Sequence, residues 1–205
     1  MLELIGTKHI KKGIIVSKKI PDHAKCVHQG PVFKVYQWEE NLPNGEKRIF
    51  EIAERKSGAL IIPLDEKGNV YYGEQQQQGF GNKPFVGLLG GEIEEGETSL
   101  ETAKRELLEE GGLISNEWEL FWKWDYFGRL EGFVDVFVAR NCKKTERPEL
   151  NDGEKIVVKK CSLERYFREI LSAPNCRDKA FKAQFYNRLN EKTMKTKIQE
   201  ILGKG

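Results

Sequence analysis

Residues 90–113 read Gly-Gly-Glu-Ile-Glu-Glu-Gly-Glu-Thr-Ser-Leu-Glu-Thr-Ala-Lys-Arg-Glu-Leu-Leu-Glu-Glu-Gly-Gly-Leu, a glycine-containing loop followed by an amphipathic segment. Thr98 with Glu101 three residues later is the sequence pattern of a capping box, which predicts that a helix begins near Thr98. Gly111 and Gly112 supply the flexible or left-handed backbone at which helices end. The stretch therefore predicts a loop, a helix of about three turns and a second loop.

The predicted helix has an apolar face beside an acidic one. Leu100, Ala103 and Leu107 recur at i, i+3 and i+7, so they should pack on a sheet. Three carboxylates follow at i, i+3 and i+4 and crowd into an arc of about 100° next to this stripe. They are Glu106, Glu109 and Glu110. The helix therefore concentrates negative charge on one side of its last turns.

Such a charge cluster is unfavourable without a partner, because like charges repel and the helix dipole opposes acids near a C-terminus. A bound divalent cation offsets both effects, and oxygen ligands on a rigid helix suit Mg²⁺, for which Mn²⁺ can substitute. The glycine loop lets backbone carbonyls and a phosphate approach without a Cβ in the way. An acidic helix face exposed to solvent is the alternative, and it would be favoured for an isolated E-x-x-E-E pattern.

The complete spacing resembles the Nudix box, G-x5-E-x7-R-E-U-x-E-E-x-G-U, where U is an aliphatic residue. Every specified position of the box is filled without a gap, on a segment with independent helix start and stop signals. The matching residues are Gly91, Glu97, Arg105, Glu106, Leu107, Glu109, Glu110, Gly112 and Leu113. This resemblance favours the metal-binding interpretation over a solvated acidic face.

The resemblance implies an α/β fold, an α/β/α sandwich around a mixed sheet, and a role for each box residue. Glu106 and Glu110 would be the foremost metal ligands, followed by Glu109 and by the carbonyl of Gly90. Arg105 would orient a box glutamate. Glu97 would also take part in catalysis. It would either hold the loop in place or support the metal ligands without binding the metal itself.

Similarity to the ADP-ribose pyrophosphatase subgroup extends weakly over residues 32–190. In that subgroup a loop glutamate before a late helix takes part in catalysis, which implies Glu154 as the general base. Asp152 or Glu149 would substitute if the loop register differs, and an ordinary acidic loop residue is an equal alternative. Arg55 is similarly placed to bind a substrate phosphate or to pair with a surface acid.

Two positions depart from the subgroup and concern substrate recognition. Gln77 stands where an arginine is usual, and residues 87–91 read Gly-Leu-Leu-Gly-Gly instead of Glu-Leu-Pro-Ala-Gly. These departures leave the residues for metal chemistry intact. They concern the contacts that select the group attached to the nucleoside diphosphate, so they affect whether ADP-ribose itself is the substrate. Gln77 as a neutral donor and Gly91 as a site of close approach are the predicted substrate contacts here.

The first 55 residues are predicted to form a small antiparallel β unit, and residues 56–205 the Nudix hydrolase domain. Residues 32–40 alternate apolar and polar side chains, and an Asn-Gly pair at 44–45 indicates a hairpin. Members of the subgroup commonly form homodimers in which these strands complete the partner's site. Trp38 or Phe33 would then stack on a base, although core packing is the alternative for either ring.

Composition adds limited information. The 205 residues carry 34 Lys and Arg against 32 Asp and Glu, and this near balance gives no positive indication of a nucleic-acid partner. No apolar run reaches the roughly 20 residues that cross a bilayer. The four scattered cysteines form no C-x-x-C pair, which favours reduced thiols and a cytoplasmic location.

The sequence thus predicts Mg²⁺-dependent hydrolysis of the pyrophosphate bond of a small nucleoside diphosphate derivative, ADP-ribose or a nucleotide sugar. The products would be a nucleoside monophosphate and a phosphorylated moiety. Alternatives are a nucleotide-binding regulatory module without turnover, or a hydrolase of dinucleoside polyphosphates or RNA ends.

Overall fold

A computed structural model describes residues 19–76, 83–145 and 155–188. In these ranges, strands and a few helices alternate along the chain. The strands are β1 (Lys25–Gln29), β2 (Phe33–Asn41), β3 (Lys47–Arg55), β4 (Gly58–Pro63), β5 (Asn69–Gln76), β6 (Phe85–Gly87), β7 (Leu89–Glu92), β8 (Leu113–Ile114), β9 (Glu117–Asp125), β10 (Leu130–Glu131), β11 (Phe133–Arg140), β12 (Lys143–Lys144) and β13 (Lys155–Ser162). The helices are α1 (Ser99–Glu109), α2 (Leu163–Arg165), which continues as a π-helical turn (Tyr166–Ile170), and α3 (Lys179–Arg188).

The chain divides into two compact units, and the first combines the described part of Met1–Arg55 with Asp125–Gly132. Its sheet has the order β1-β2-β3-β10. β2 and β3 form the predicted antiparallel hairpin, and Gly45 adopts a φ of 86° in its turn. β10 pairs in parallel with β3, so a segment from late in the chain completes this sheet.

The second unit comprises Lys56–Trp124 and the described part of Phe133–Gly205. One of its sheets has the order β7-β4-β11-β9, in which β4 runs parallel to β11 and antiparallel to β7. A further sheet, β13-β5-β6, is antiparallel, and β12 pairs with β8. Parallel and antiparallel pairs together with few helices confirm the predicted mixed α/β fold.

Helix α1 packs through its apolar face, as its periodicity predicts. Ala103 and Leu107 are fully buried, and they belong to one hydrophobic cluster with Ile61 of β4, Leu89 of β7 and Phe137 of β11. Burying a side chain such as Leu107 contributes about 2 kcal/mol relative to leaving it in water. The packing fixes both the position and the rotation of α1, and with them the direction of its acidic face.

The ends of α1 follow the predicted signals. Thr98 is the N-cap, and its hydroxyl accepts a hydrogen bond from the backbone N–H of Glu101 while the Glu101 side chain accepts one from the N–H of Thr98. At the other end Glu110 is the C-cap, and Gly112 has a φ of 56°. The left-handed backbone at Gly112 releases the chain from the helix toward β8.

The spacing of apolar residues over 163–171, 179–189 and 192–202 predicts helices in the C-terminal part of the second unit. The first stretch is helical, as the short α2 followed by the π-helical turn, and the second forms α3. The third stretch lies outside the described residues. No helix in the described ranges is long and apolar enough to cross a membrane.

A buried carboxylate connects this C-terminal part to the strands before the glycine pair. Asp178 is 6% exposed, and it accepts a hydrogen bond of 2.6 Å from the backbone N–H of Leu88, between β6 and β7. Burial raises the pKa of Asp178, while this hydrogen bond and Arg177 act in the opposite direction. The bond therefore anchors the segment before α3 against the chain that leads into the glycine pair.

Candidate active site

The glycine pair in β7, Gly90 and Gly91, lies directly against the acidic face of α1. A Cβ added to Gly91 would lie 2.0 Å from Oε1 of Glu106, so this carboxylate occupies the space that any side chain at 91 would need. Gly90 has a φ of 146°, and a Cβ there would lie 2.1 Å from the carbonyl oxygen of Ala59. Position 91 therefore requires glycine because the Glu106 carboxylate lies so close. Position 90 requires glycine both for its backbone conformation and for lack of space.

The carboxylate of Glu110 contacts both the glycine pair and the neighbouring sheet. Its Oε2 accepts a hydrogen bond of 2.8 Å from the backbone N–H of Gly90. Its Oε1 lies 3.4 Å from Nε2 of Gln75, a residue of β5 that is only 6% exposed. Both oxygens of Glu110 thus face groups that donate to a negative charge.

Arg105 joins the carboxylates into one network. Its Nη1 donates to Oε1 of Glu106 at 2.8 Å and to Oε2 of Glu109 at 3.0 Å. Its Nε donates to Oε1 of Glu97 at 2.9 Å. The Arg105 side chain is 28% exposed, so part of this network is shielded from water, and the acids around it, Glu97 foremost, raise the pKa of Arg105. Arg105 is therefore a permanent cation that orders three carboxylates.

Glu97 ties the loop before α1 to the helix. Besides its contact with Arg105, its Oε2 accepts a hydrogen bond of 2.7 Å from the Thr102 hydroxyl and one of 3.2 Å from the backbone N–H of Glu94. Arg105, followed by Thr102, lowers the pKa of Glu97 to about 2. Glu97 is therefore ionised at any pH at which the protein would work, and its bonds hold the loop in place.

The donor set of this region fits a hard divalent cation. Glu106, Glu109 and Glu110 offer carboxylate oxygens on adjacent turns, and the space that a Cβ of Gly91 would fill already holds an oxygen of Glu106. Within the described ranges no three acidic, His or Cys side chains converge as ligands. Arg105 accounts for this arrangement, because its Nη1 engages both Glu106 and Glu109.

The network brings together seven of the residues that the sequence singled out. They are Gly90, Gly91, Glu97, Arg105, Glu106, Glu109 and Glu110. Glu154 and Gln77, together with Asp152 and Glu149, lie outside the described residues. Their roles stay predictions.

Arg55 and Trp38 belong to the first unit, and they lie in its strands β3 and β2. The Arg55 guanidinium lies 5.6 Å from the centre of the Tyr126 ring. Trp38 stacks on Phe50 with ring centres 6.0 Å apart, and its Nε1 donates to Glu40. These contacts explain how both side chains are held within the unit, and their contribution to substrate binding stays a prediction.

The contact between Gln75 and Glu110 was not predicted from the sequence. A polar residue in a strand whose neighbours are buried was the available signal, because Val70, Tyr71 and Tyr72 of β5 are all buried. The identity of the partner could not be deduced, since Glu110 lies 35 residues away on a different element.

Comparisons with known proteins agree with this geometry. A family profile described as the NUDIX domain matches residues 54–184. The chain is similar to an ADP-ribose pyrophosphatase of Mycobacterium tuberculosis, with 27% identity over 64% of this chain and 64% of that protein. It is also similar to an ADP-ribose pyrophosphatase of Bacillus subtilis, with 27% identity over 67% of this chain and 75% of that protein. The match thus spans less than two thirds of the first of these relatives.

A solved structure shares the fold. The crystal structure of an ADP compounds hydrolase superposes with a TM-score of 0.61 and covers 85% of this chain and 99% of that one. The sequence identity is 18%, so this likeness concerns the architecture alone.

Proposed function

The chain belongs to the Nudix family, and on this premise we propose that it hydrolyses the pyrophosphate bond of a nucleoside diphosphate derivative. The products are a nucleoside monophosphate and a phosphorylated moiety. One observation carries the proposal: Glu106 and Glu110, at the C-terminal end of α1, lie against the glycine pair of β7, where only glycine fits. Arg105 joins Glu109 to Glu106 beside them. Repulsion between the carboxylates and the helix dipole oppose that charge cluster, whereas binding of a phosphate-bound cation favours it.

The proposed substrates are ADP-ribose and nucleotide sugars. The support comes from the relatives, two of which are named ADP-ribose pyrophosphatases and match the chain over more than 130 residues each. Substrate choice within the class depends on pocket contacts rather than on the fold. Gln77 in place of the usual arginine is therefore expected to alter preference within the class without removing the chemistry.

Nudix hydrolases generally use divalent metal ions. We assign Mg²⁺, with Mn²⁺ as a substitute, to Glu106 and Glu110, assisted by Glu109 and by the carbonyl of Gly90. Bound there, such an ion would supply positive charge to the phosphates of the substrate and would make the attacking water more acidic. The oxygen ligands of this region match the preference of Mg²⁺ for hard donors.

The chain's own residues provide order around that chemistry. Arg105 holds Glu106 and Glu109 in fixed rotamers, and Glu97 holds Arg105. Gly91, which has no side chain, leaves the space that the Glu106 carboxylate occupies, and its backbone is the proposed contact to a substrate phosphate. Glu154 is the proposed general base that takes a proton from the attacking water, and Arg55, Gln77 and Trp38 are the proposed contacts to the substrate's phosphates and base.

The proposal includes a cytoplasmic homodimer acting on a small molecule. All four cysteines lie in the described part of the chain as free thiols, which is the state expected in a reducing compartment. Val27, Val32, Phe33 and Ile49 of the first unit expose between 44% and 66% of their surface, an amount of apolar area that a second copy would cover. Light scattering of the purified protein measures this directly, and a dimer is expected.

The deciding experiment is a substrate panel assayed with Mg²⁺ and with EDTA, read by ³¹P NMR. The panel contains ADP-ribose, nucleotide sugars, dinucleoside polyphosphates and nucleoside triphosphates, with a Glu110→Gln variant as control. We expect two phosphomonoesters from ADP-ribose or a nucleotide sugar, in Mg²⁺ only, and none from the variant. Binding of these compounds without product would support a regulatory module instead, and cleavage confined to polyphosphates would contradict the substrate assignment.

A further inference from the structure

We infer that Gln75 is a positioning residue that holds the carboxylate of Glu110 in its metal-binding orientation. This inference rests on the proposed function, in which Glu110 is a metal ligand. Gln75 lies on β5 and belongs to no part of the Nudix box. Its Nε2 lies 3.4 Å from Oε1 of Glu110, whereas the Gly90 N–H donates to the other oxygen, Oε2.

Burial gives this long contact its significance. Gln75 is 6% exposed, and the amide of a buried glutamine needs a partner because water is not available to it. The amide must present its N–H₂ group to Glu110, since its carbonyl oxygen would repel a carboxylate. The backbone N–H of Gly90 in β7 and the side chain of Gln75 thus both offer neutral donors to Glu110.

Gly73 provides an independent sign that the Gln75 side chain is held in one place. Both residues point to the same face of β5 because side chains alternate along a strand. A Cβ on Gly73 would lie 2.9 Å from Nε2 and 3.1 Å from Cγ of Gln75. Gly73 does not have a left-handed backbone, so the space taken by Gln75, not conformation, is what a side chain at 73 would encounter.

The strand that carries Gln75 is a rigid support. β5 is the central strand of its sheet, where Gln75 pairs with Ile156 of β13 on one side and with Phe85 of β6 on the other. A side chain on such a strand is located more narrowly than one on a loop. Glu110, in contrast, is the C-cap residue of α1, at a position where helices fray. Gln75 therefore restricts the motion of the Glu110 side chain at the point where α1 ends.

The chemistry of an amide suits this task. A neutral donor fixes the orientation of Glu110 and leaves its negative charge for the cation, whereas a lysine at 75 would form a competing ion pair. Partners that orient metal ligands in this way typically affect metal affinity about tenfold to a hundredfold. Because the contact is long, the lower end of that range is expected.

The test measures Mn²⁺ affinity by EPR of free Mn²⁺ in the absence of substrate. Gln75→Met keeps the length of the side chain and removes the donor, and we expect about tenfold weaker binding. Gln76→Met is the matched control, because Gln76 is the next residue of β5 and lies exposed on the opposite face; its affinity should equal that of the wild type. Thermal melts without metal establish that each variant is folded.

A double-mutant cycle separates positioning from general structural support. In a Glu110→Gln background, Gln75→Met should cause no further loss of affinity, since Gln75 acts through Glu110. Equal affinity of Gln75→Met and wild type, or an undiminished loss in the Glu110→Gln background, would overturn the inference while leaving the proposed function intact. If Glu110→Gln alone binds Mn²⁺ like the wild type, the metal assignment fails, and the inference fails with it.

Two further variants keep the test decisive if Gln75→Met does not fold. Gln75→Asn retains the amide but is one methylene shorter, so it should weaken Mn²⁺ binding as Gln75→Met does. Gly73→Ala leaves Gln75 itself unchanged and displaces its amide, because the new Cβ would lie 2.9 Å from Nε2. Wild-type affinity in both variants would contradict the inference.

Discussion

The two ends of α1 use the same residue type for opposite purposes. At its N-terminus Glu101 closes a capping box with Thr98, where an acid satisfies orphan N–H groups and complements the helix dipole. At its C-terminus Glu106, Glu109 and Glu110 oppose the dipole and one another, and the last turn contains no basic residue. The N-terminal acid therefore stabilises the helix, whereas the C-terminal acids lower its stability and concentrate negative charge.

Arg105 is the residue on which the two ends meet. It contacts Glu97 before the helix and Glu106 and Glu109 in its last turns. Glu110 is a fourth carboxylate in this region. Because Arg105 carries a single positive charge, it does not neutralise all four acids by itself, and negative charge remains at the C-terminal end. The contrast between the ends therefore predicts separable effects on turnover and on stability.

The largest expected effect is on turnover at the C-terminal end. Glu110→Gln should lower kcat about a thousandfold, because the charge that holds the cation is lost. The metal-free variant should be as stable as the wild type or up to about 1 kcal/mol more stable, since a repulsive charge near the helix end has been removed. Steady-state kinetics and urea unfolding measure the two quantities, with Glu101→Gln as the matched control. If Glu110→Gln lost much stability but no turnover, Glu110 would serve the helix rather than the cation, which would contradict this prediction.

Replacing the shared residue should affect both properties. Arg105→Met removes the cation that orders three carboxylates, and we expect the metal-free protein to lose about 1–3 kcal/mol of unfolding free energy. Because Mg²⁺ supplies positive charge to the same acids, saturating Mg²⁺ should restore part of this loss. Urea unfolding with and without Mg²⁺ checks the expectation. Identical losses in the two conditions would show that Arg105 and the cation do not share these acids.

A smaller effect, on stability alone, is expected at the N-terminal end. Thr98→Ala removes the hydroxyl that caps the helix and should cost about 1 kcal/mol. The kcat and the Mg²⁺ dependence should remain those of the wild type, and Thr98→Ser should retain most of the stability. Altered Mg²⁺ dependence in Thr98→Ala would indicate that the two ends are not separable.

The smallest expected effect is the pH dependence of Glu97. Arg105, and then Thr102, lower its pKa from 4.5 to about 2. A group whose pKa is lowered by folding stabilises the protein fully above its unfolded pKa, and that stabilisation is lost as the pH falls through the folded one. The difference in unfolding free energy between wild type and Glu97→Gln should therefore be constant above about pH 4.5 and shrink toward pH 2. A difference independent of pH in this window would contradict the Glu97–Arg105 pairing.

Local patterns account for most of what the sequence predicted correctly. The limits of α1, its buried face and the hairpin between β2 and β3 all follow from signals within a few residues of each other. The proximity of Glu106 to the glycine pair was predictable from the spacing of the box, because a loop followed by a helix of that length returns the acidic face of the helix to the glycines. In these cases the physical cause and the sequence pattern lie in the same short stretch.

Long-range contacts could not be predicted in the same way. Asp125–Gly132 joins the first unit through a parallel pairing of β10 with β3, and no periodicity in either strand specifies that partner. Asp178 bonds to Leu88 across 90 residues, and Gln75 meets Glu110 across 35. Each of these contacts depends on how the sheets and helices pack, which a single sequence does not encode locally.

The most direct test of the account is the anomalous diffraction of crystals soaked in Mn²⁺, because it locates the cation on one end of α1 or the other. We expect an anomalous peak beside the carboxylates of Glu106 and Glu110, none beside Glu101, and loss of the peak in Glu110→Gln. A soaked crystal with no peak at the C-terminal turns, or with an unchanged peak in the variant, would contradict the claim that these acids are there to hold a divalent ion.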